Sequence, residues 1–207
     1  MTHTLHRTGR EESLKTDYVL FTMSAKTVNA KGSAEKMRRF IEIVEKHGPV
    51  NCGDMKTGNI FNTDRQEIVD QVRDTSIVHF VFTDPEKVAR ALAELKEAEL
   101  GTSVVVSGLV EGTEAACQKS GLAIHTIEYS GGVHGRTELL PEEPVLSVTT
   151  MCGHGMVAAG LVRDLAAKVR RGRLDLEEAA LELAKPCQCG VFNPERAAEL
   201  LKEINAG

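Results

Sequence analysis

The chain has 207 residues, of which 42% are hydrophobic, and this is enough to bury a core in one domain or two small ones. Its formal net charge is -5, and it has two tyrosines and no tryptophan, so neither a basic surface nor stacking aromatics for nucleic acid are expected. No stretch reaches the roughly 20 apolar residues of a membrane span, and the polar start MTHTLHRTGREESLKT lacks the apolar centre of a secretory signal, which favours a cytoplasmic protein without membrane partners.

Residues 1–15 form a polar tail, for which disorder is one expectation, and strand and helix patterns then alternate through 16–143. Aromatic and β-branched runs predict strands at 17–28, 76–82, 102–110 and 122–130. Helical patterns occupy 32–48, 65–74, 83–101 and 111–121. The helix after residue 83 begins with Asp84 as the N-cap and Pro85 in the first turn. Because each helix must return the chain over the sheet, this alternation predicts an α/β fold with mostly parallel pairing.

The C-terminal third, residues 144–207, is predicted to be mainly helical. The apolar run at 145–151 reads as one more strand, and a long helix follows over 153–172. A second helix begins after Asp175, with Glu178 three residues on in a capping-box arrangement. A third begins at Pro194. This segment carries most of the cysteines and can form one domain with the α/β body.

Five cysteines are an odd number, and in a reducing compartment they stay unpaired unless a metal or a reaction uses them. Cys152, in TTMCGHGMVAAG, lies between a predicted strand and a predicted helix. The positive helix end there predicts a lowered pKa for its thiol. Gly153 and Gly155 have no side chains, so that a substrate or cofactor can approach the backbone.

Cys187 and Cys189, in KPCQCGVFNP, follow a proline that favours an extended segment. Residues two apart in an extended segment face the same side, so both sulfurs can meet one ion or cluster. A helix of roughly 22 Å followed by a return helix of roughly 16 Å and a short extended stretch closes on itself. This hairpin is predicted to bring both cysteines beside Cys152.

Three converging thiolates require a cation, and zinc or an iron-sulfur cluster is the usual one. The C-x-C pair with a distant third cysteine favours an iron-sulfur cluster such as 4Fe-4S over zinc. Cys52 or an open position would complete the metal site formed by Cys152, Cys187 and Cys189. On a helix His154 would point away from Cys152, which makes it a hydrogen-bonding or proton-donating neighbour rather than a ligand.

An open position predicts a lyase, namely a hydro-lyase acting on a small carboxylate or hydroxy acid, with the metal as Lewis acid. His154 or His134 would transfer protons, and Arg136 would hold the carboxylate. A non-enzymatic module that binds a small-molecule effector is an alternative. A homo-oligomer that shares the site between subunits is also compatible with the sequence.

The motif Met151-Cys-Gly-His-Gly155 resembles the short motif around the first catalytic cysteine of the proline racemase and hydroxyproline epimerase family. The resemblance covers five residues. It implies a metal-free cysteine-dependent isomerase in which Cys152 and either Cys187 or Cys189 act as the acid and base pair. The family's second motif lies far downstream in a longer, two-lobed chain, whereas PCQCG is only 35 residues on, so the chemistry is kept as an alternative and the family is not assigned.

Other unusual residues have structural interpretations. Cys117 lies beside alanines and is expected to be a small buried apolar residue. His79 lies inside a strand pattern, and a core histidine with satisfied hydrogen bonds is the expectation there. The stretch 129–136, which contains His134 and Arg136, is typical of a turn, although an anion-binding loop has a similar composition.

Overall fold

The computed structural model describes residues 3–206. Its strands are β1 (Tyr18–Met23), β2 (Asn51–Asp54), β3 (Gly58–Asn59), β4 (Val78–Phe82) and β5 (Ser103–Ser107). Its helices are α1 (Glu11–Leu14), α2 (Ser33–Glu45), α3 (Arg65–Asp70), α4 (Pro85–Ala98), α5 (Val110–Lys119), α6 (Glu143–Thr149), α7 (Ala159–Arg170), α8 (Leu176–Ala184) and α9 (Pro194–Ala206), with a 3-10 turn at Thr137–Leu139. Among these helices, none combines the length and apolar character needed to cross a membrane.

The five strands form one antiparallel sheet in the order β3-β2-β4-β1-β5. β1 pairs antiparallel with both β4 and β5, and β2 pairs antiparallel with β4. The prediction of a mostly parallel β-α-β body is therefore wrong.

The reason is the position in the sheet to which each crossover helix returns the chain. α2 connects β1 to β2, and α4 connects β4 to β5, so the joined strands do run in the same direction. Each returning strand lies two positions away, however, and an antiparallel strand fills the gap. This connectivity is the split β-α-β, or ferredoxin-like, arrangement. The sequence located β1, β4 and β5 with the helices that follow them, but it did not predict β2 and β3. The alternation of strands and helices also does not say which strands become neighbours.

Helices cover both faces of the sheet. On one face Leu20, Phe80 and Phe82 pack with residues of α2 and α4. On the other face Phe21 and Val81 pack with α6 to α9, the C-terminal helices. Because side chains alternate along a strand, His79 between Val78 and Phe80 belongs to the face that the C-terminal helices cover. This face carries the candidate site.

Two predicted strands have another conformation. Residues 122–130 lie in an irregular exposed segment, 121–142, although Ile127 and Tyr129 are apolar enough for a strand. Residues 145–151 begin in helix α6, whose Pro144 lies in the first turn. Val145, Val148 and Met151 are buried at a spacing of three, which is a helical rather than an alternating period.

Several helix boundaries are confirmed. Asp84 caps α4 by accepting a hydrogen bond from the Glu86 amide, with Pro85 in the first turn. Asp175 caps α8 by accepting from the Glu178 amide, as the capping-box spacing predicts. The helix predicted over 153–172 is shorter than expected, because α7 begins only at Ala159. The segment around Cys152 and His154 is a series of turns.

The polar N-terminal tail, as far as it is described, packs against the body. Arg7 donates hydrogen bonds to Asp17 and to the Val191 carbonyl. Arg196, on α9, donates to Asp17 at 2.9 Å and to the Thr8 carbonyl at 2.7 Å. The carboxylate of Asp17 thus links the N-terminal segment to α9. As a result, His3 lies at the face of the sheet that the C-terminal helices cover.

Candidate metal centre

The C-terminal helices bring three cysteines together, as the hairpin length predicts. α7 packs against α8 and α9, and the loop after α8 carries Cys187 and Cys189 back to the turn that holds Cys152. The Cys187 thiol interacts with those of both Cys152 and Cys189. All three cysteines are buried and form no disulfide. We refer to these three residues as the thiol group.

The loop that carries Cys187 and Cys189 is held by polar side chains of the sheet. Asn59 on β3 donates a hydrogen bond to the Cys187 carbonyl at 2.9 Å. Asn51 on β2 donates to the Phe192 carbonyl at 2.8 Å. Both asparagines are fully buried, so these bonds fix the loop at the edge of the sheet where β2 and β3 lie.

Two glycines let the same loop touch the sheet backbone. A Cβ at Gly53 on β2 would lie 3.0 Å from the Cys189 carbonyl, and one at Gly190 would lie 2.5 Å from the Cys52 backbone carbon. Gly190 also has a φ of 74°, in the left-handed region that favours glycine. The two backbones approach closely only because neither position has a side chain.

Three histidines adjoin the thiol group. His3 stacks on His154 with ring centroids 4.6 Å apart, and it meets His79 edge-on at 5.2 Å. The Nδ1 atom of His154 lies 3.6 Å from the Cys189 sulfur. We refer to His3, His79 and His154 as the imidazole group. Cys189 is the residue at which the two groups meet.

Several ring nitrogens of the imidazole group are buried without a hydrogen-bond partner. Within the described residues, the two ring nitrogens of His79 and the Nε2 atom of His3 have no hydrogen-bond partner. Backbone groups of Cys189 and Gly53 come close to His79. His79 is a core histidine, as predicted, but the prediction that its hydrogen bonds are satisfied is wrong. Buried polar atoms without partners are costly, and each such atom in a native protein calls for an explanation such as a bound ion.

The pKa values of the thiols differ sharply. The interaction with Cys187, followed by burial, raises the pKa of Cys152 far above its usual range. The pKa of Cys187 is raised to about 12, because the lowering effect of Cys152 is outweighed by Cys189 and burial. That of Cys189 is lowered, first of all by Cys187.

The raised pKa of Cys152 contradicts the expectation of a lowered one. The expected cause was a helix N-terminus immediately after the cysteine. α7 begins only at Ala159, and the neighbouring Cys187 thiol raises the pKa of Cys152 instead.

The structure does not bring all predicted site residues together. The backbone of Cys52 touches the loop at Gly190, but its side chain lies on the opposite face of the sheet, in the core formed with α2 and α4. His134 donates a hydrogen bond from Nε2 to the Gly131 carbonyl, and Arg136 pairs with Glu138. Both residues belong to the exposed segment 121–142. Cys117, predicted to be buried, is only partly buried and packs against the core formed with α2 and α4.

Sequence reasoning missed His3, which lies in a polar tail for which disorder was one expectation. It placed His79 in the core but expected its ring nitrogens to be hydrogen-bonded. The asparagines and glycines that hold the loop were missed as well. A usable pattern was present in VNCGDMKTGN, where β2 and β3 each contain one glycine and one asparagine. Glycine in a strand often marks a site where another backbone approaches closely.

Comparison of this chain with models of protein families, with curated proteins and with solved structures gave no match.

Because His3 and His79 are buried, we predict that the stability of the metal-free protein falls as the pH is lowered. Burial, with the charges of nearby histidines, lowers the pKa of His79 to about 3 and that of His3 to about 4. Unfolding restores ordinary values near 6.5, so below that pH the unfolded chain binds protons that the folded chain cannot. We expect the metal-free protein to lose about 2 kcal/mol of unfolding free energy between pH 7 and 5.5.

Urea denaturation at the two pH values measures this loss. The variant His79→Phe should show a shallower dependence, whereas His125→Phe, on an exposed residue, should keep that of the parent protein. Equal stability of the parent chain at pH 7 and 5.5 would contradict the expectation.

Proposed function

We propose that this chain binds a transition-metal ion through Cys189, His154 and His3. One ligand atom from each of these residues lies within 4.8 Å of the other two. The Cys189 sulfur and the His154 Nδ1 are 3.6 Å apart. A tetrahedral zinc ion with ordinary bond lengths to sulfur and nitrogen places those two ligand atoms about 3.6 Å from each other. This separation is the observation that carries the proposal.

The donor set favours zinc. Imidazole nitrogen and thiolate sulfur suit zinc and other borderline or soft ions, whereas magnesium and calcium require oxygen ligands. His3 is buried with an Nε2 that has no hydrogen-bond partner in the described chain, and a metal bond would satisfy it. His79 meets the ring of His3 edge-on. In this position it would help to orient the His3 ligand, as residues next to metal ligands commonly do.

The fourth position has two candidates. The Cys187 thiol is next to Cys189 and would close the site in the manner of structural zinc. The exposed side of His154 would instead admit water, and an open position suits Lewis-acid chemistry such as the hydration or dehydration of a small carboxylate. Because Arg136 contacts Glu138 on a separate segment, a carboxylate substrate would need another cation to hold it.

An iron-sulfur cluster is the second candidate, and the gathering of Cys152, Cys187 and Cys189 favours it. Clusters are held mainly by cysteine thiolates, and in some centres two histidines replace two cysteines on one iron. The close approach of His154 to Cys189 fits two ligands of one ion better than ligands on different irons, which is why zinc comes first.

Metal-free thiol catalysis receives less support. An acid and base pair of cysteines must hold a substrate carbon between two sulfurs. Here the Cys187 thiol interacts directly with that of Cys152, and the pKa of both is raised, that of Cys152 first of all by Cys187 and that of Cys187 by Cys189 and burial against the lowering effect of Cys152. Reactive cysteines are ordinarily accessible and have lowered pKa values.

The test is metal analysis of protein purified without oxygen, together with its visible spectrum. We expect a colourless protein with bound zinc, and in His154→Ala an affinity at this site weaker by about 100-fold. The matched control is His134→Ala, on an exposed histidine away from the site. Brown colour with iron and sulfide would favour the second candidate. A protein that binds neither metal after reconstitution would refute both.

A further inference from the structure

A cavity of about 540 Å³ lies between the edge strand β5 and residues 122–128, which follow α5. All residues of β5 line it on one side, and residues 122–128 line it on the other. Among the described strands, β5 pairs only with β1. Alternate backbone N–H and C=O groups of β5 therefore point away from the sheet and toward the cavity.

The topology of the sheet leaves room for one strand at this place. α2 joins β1 to β2 and α4 joins β4 to β5, and in each case one antiparallel strand lies between the two joined strands. α5 returns the chain to the level at which β5 begins, since the Gly121 carbonyl accepts a hydrogen bond at 2.9 Å from Lys96 in the last turn of α4. Residues 122–128 then follow β5 across the cavity. In this third repeat of the pattern, the cavity has the position of the middle strand.

The two sides of the cavity are not bonded to each other. Within residues 3–206, no backbone hydrogen bond joins β5 to residues 122–127, and residues 123–127 form no backbone–backbone hydrogen bond at all. An unpaired strand edge is a template for pairing with another extended chain. A strand between the two sides would satisfy backbone groups of both, which an apolar small molecule cannot do.

The cavity is apolar on both faces of the sheet. On the face of the C-terminal helices it is lined by Met23 and Val105. On the opposite face it is lined by Leu92, Leu95 and Leu122. Because the side chains of a strand alternate between the two faces, a strand in the cavity would bury apolar side chains at successive positions.

Two polar groups of the cavity can form further hydrogen bonds. The hydroxyl of Thr113 on α5 is buried and has no hydrogen-bond partner among the described residues. The Lys96 ammonium has three donors, and in the described part of the chain it donates to the Gly121 carbonyl alone. A strand antiparallel to β5 would end near the start of β5, where Lys96 lies, so that a carboxylate at this end would meet a positive charge.

We infer that the cavity binds an extended segment of a partner protein as an additional strand, antiparallel to β5. The segment has at least three successive apolar residues and a carboxylate at its C-terminal end. In this mode of recognition, backbone hydrogen bonds to an open sheet edge provide affinity, and pockets for the side chains provide specificity. The inference does not depend on the proposed metal site.

Selection from a phage-displayed library of random decapeptides on the 207-residue chain tests this inference. We expect enrichment of sequences with three or more successive apolar residues followed by Asp or Glu. A fluorescent synthetic peptide of an enriched sequence should bind, as measured by fluorescence anisotropy. Methylation of its alternate backbone amides should weaken binding by about 10-fold or more, because hydrogen bonds to the two sides of the cavity are lost.

Matched variants locate the binding site. Lys96→Gln should weaken binding of the acidic peptide by about 2- to 5-fold, as expected for an exposed charge, and should not affect a peptide with alanine in place of the acidic residue. Lys87→Gln is the control, because Lys87 lies on the same helix and donates to the Gly48 carbonyl at 3.2 Å, outside the cavity.

Cys117 offers a test that does not depend on folding of a variant. It lines the cavity, and of the five cysteines, all within the described residues, it alone is not buried. Alkylation of Cys117 with N-ethylmaleimide in the folded protein should block peptide binding. Cys117→Ser treated in the same way should still bind the peptide.

Hydrogen exchange of the β5 amides distinguishes a bound partner strand from other occupants. The amides that face the cavity should exchange rapidly in the free chain and become protected by the peptide. Protection in the free chain would overturn the inference: if it is independent of protein concentration, residues 122–128 close on β5, and if it rises with concentration, a second copy of the chain is the occupant. A library without enriched sequences, or binding that amide methylation leaves unchanged, would also overturn it.

Discussion

Replacement of Asp17 by alanine is expected to lower the free energy of unfolding by about 3–5 kcal/mol. The Asp17 side chain is fully buried and pairs with Arg7 and with Arg196, which is itself nearly inaccessible. It also accepts a hydrogen bond from Asn193 at 3.0 Å. Removing the carboxylate leaves two guanidinium groups without their counterion, and at least one of them stays in the core.

Chemical denaturation of the parent protein and of Asp17→Ala measures the difference. The matched control is Glu142→Ala, which removes another carboxylate paired with an arginine, Arg163, where both side chains are exposed. Exposed ion pairs contribute little, so the control should lose much less stability. Similar losses in the two variants would show that burial does not determine how much the Asp17 ion pairs contribute to the free energy of unfolding.

The meeting of the three cysteines could be predicted from the sequence because it depends on local geometry. Asp175 and Glu178 mark where the return helix starts, and Pro186 marks where it must end. Two helices of similar length joined by a short turn return the chain to its starting level. No knowledge of the sheet was needed for that step.

The sheet itself could not be predicted in the same way. Val19, Leu20 and Phe21 identify a strand that is buried on both faces, and such a run is typical of parallel sheets covered by helices. Here an antiparallel sheet has the same burial, because α2 and α4 cover one face and the C-terminal helices cover the other. Burial on both faces does not specify strand direction.

The imidazole half of the site depends on contacts between distant parts of the chain. His3 reaches it only because Arg7 bonds to Asp17 and to the Val191 carbonyl, and no spacing rule links residues so far apart. His79 could be placed in a strand, but the sequence does not show which face would meet the cysteines. A helix was predicted to begin at residue 153, whereas the segment around His154 forms turns, so the predicted direction of its side chain relative to Cys152 does not apply.

Gly153→Ala is expected to weaken zinc binding by about 10- to 100-fold, similar to the loss of a group that orients a metal ligand. A Cβ at residue 153 would lie 1.6 Å from the His3 carbonyl oxygen, and other backbone atoms of His3 are also in its way. These are backbone atoms, which cannot move aside as the end of a flexible side chain can. The N-terminal segment must therefore move away, and the His3 imidazole moves with it.

Zinc competition with a chromogenic chelator measures the affinity, and thermal unfolding of the metal-free protein shows whether the fold persists. Gly160→Ala is the matched control, because that glycine lies in α7 with open space around it, and alanine there should leave zinc affinity unchanged and stabilise the helix by about 0.5–1 kcal/mol. If Gly153→Ala acts by displacing His3, the double variant with His3→Ala should bind zinc no more weakly than His3→Ala alone. An additional loss in the double variant, or full affinity in Gly153→Ala, would mean that the close contact at residue 153 does not position the histidine.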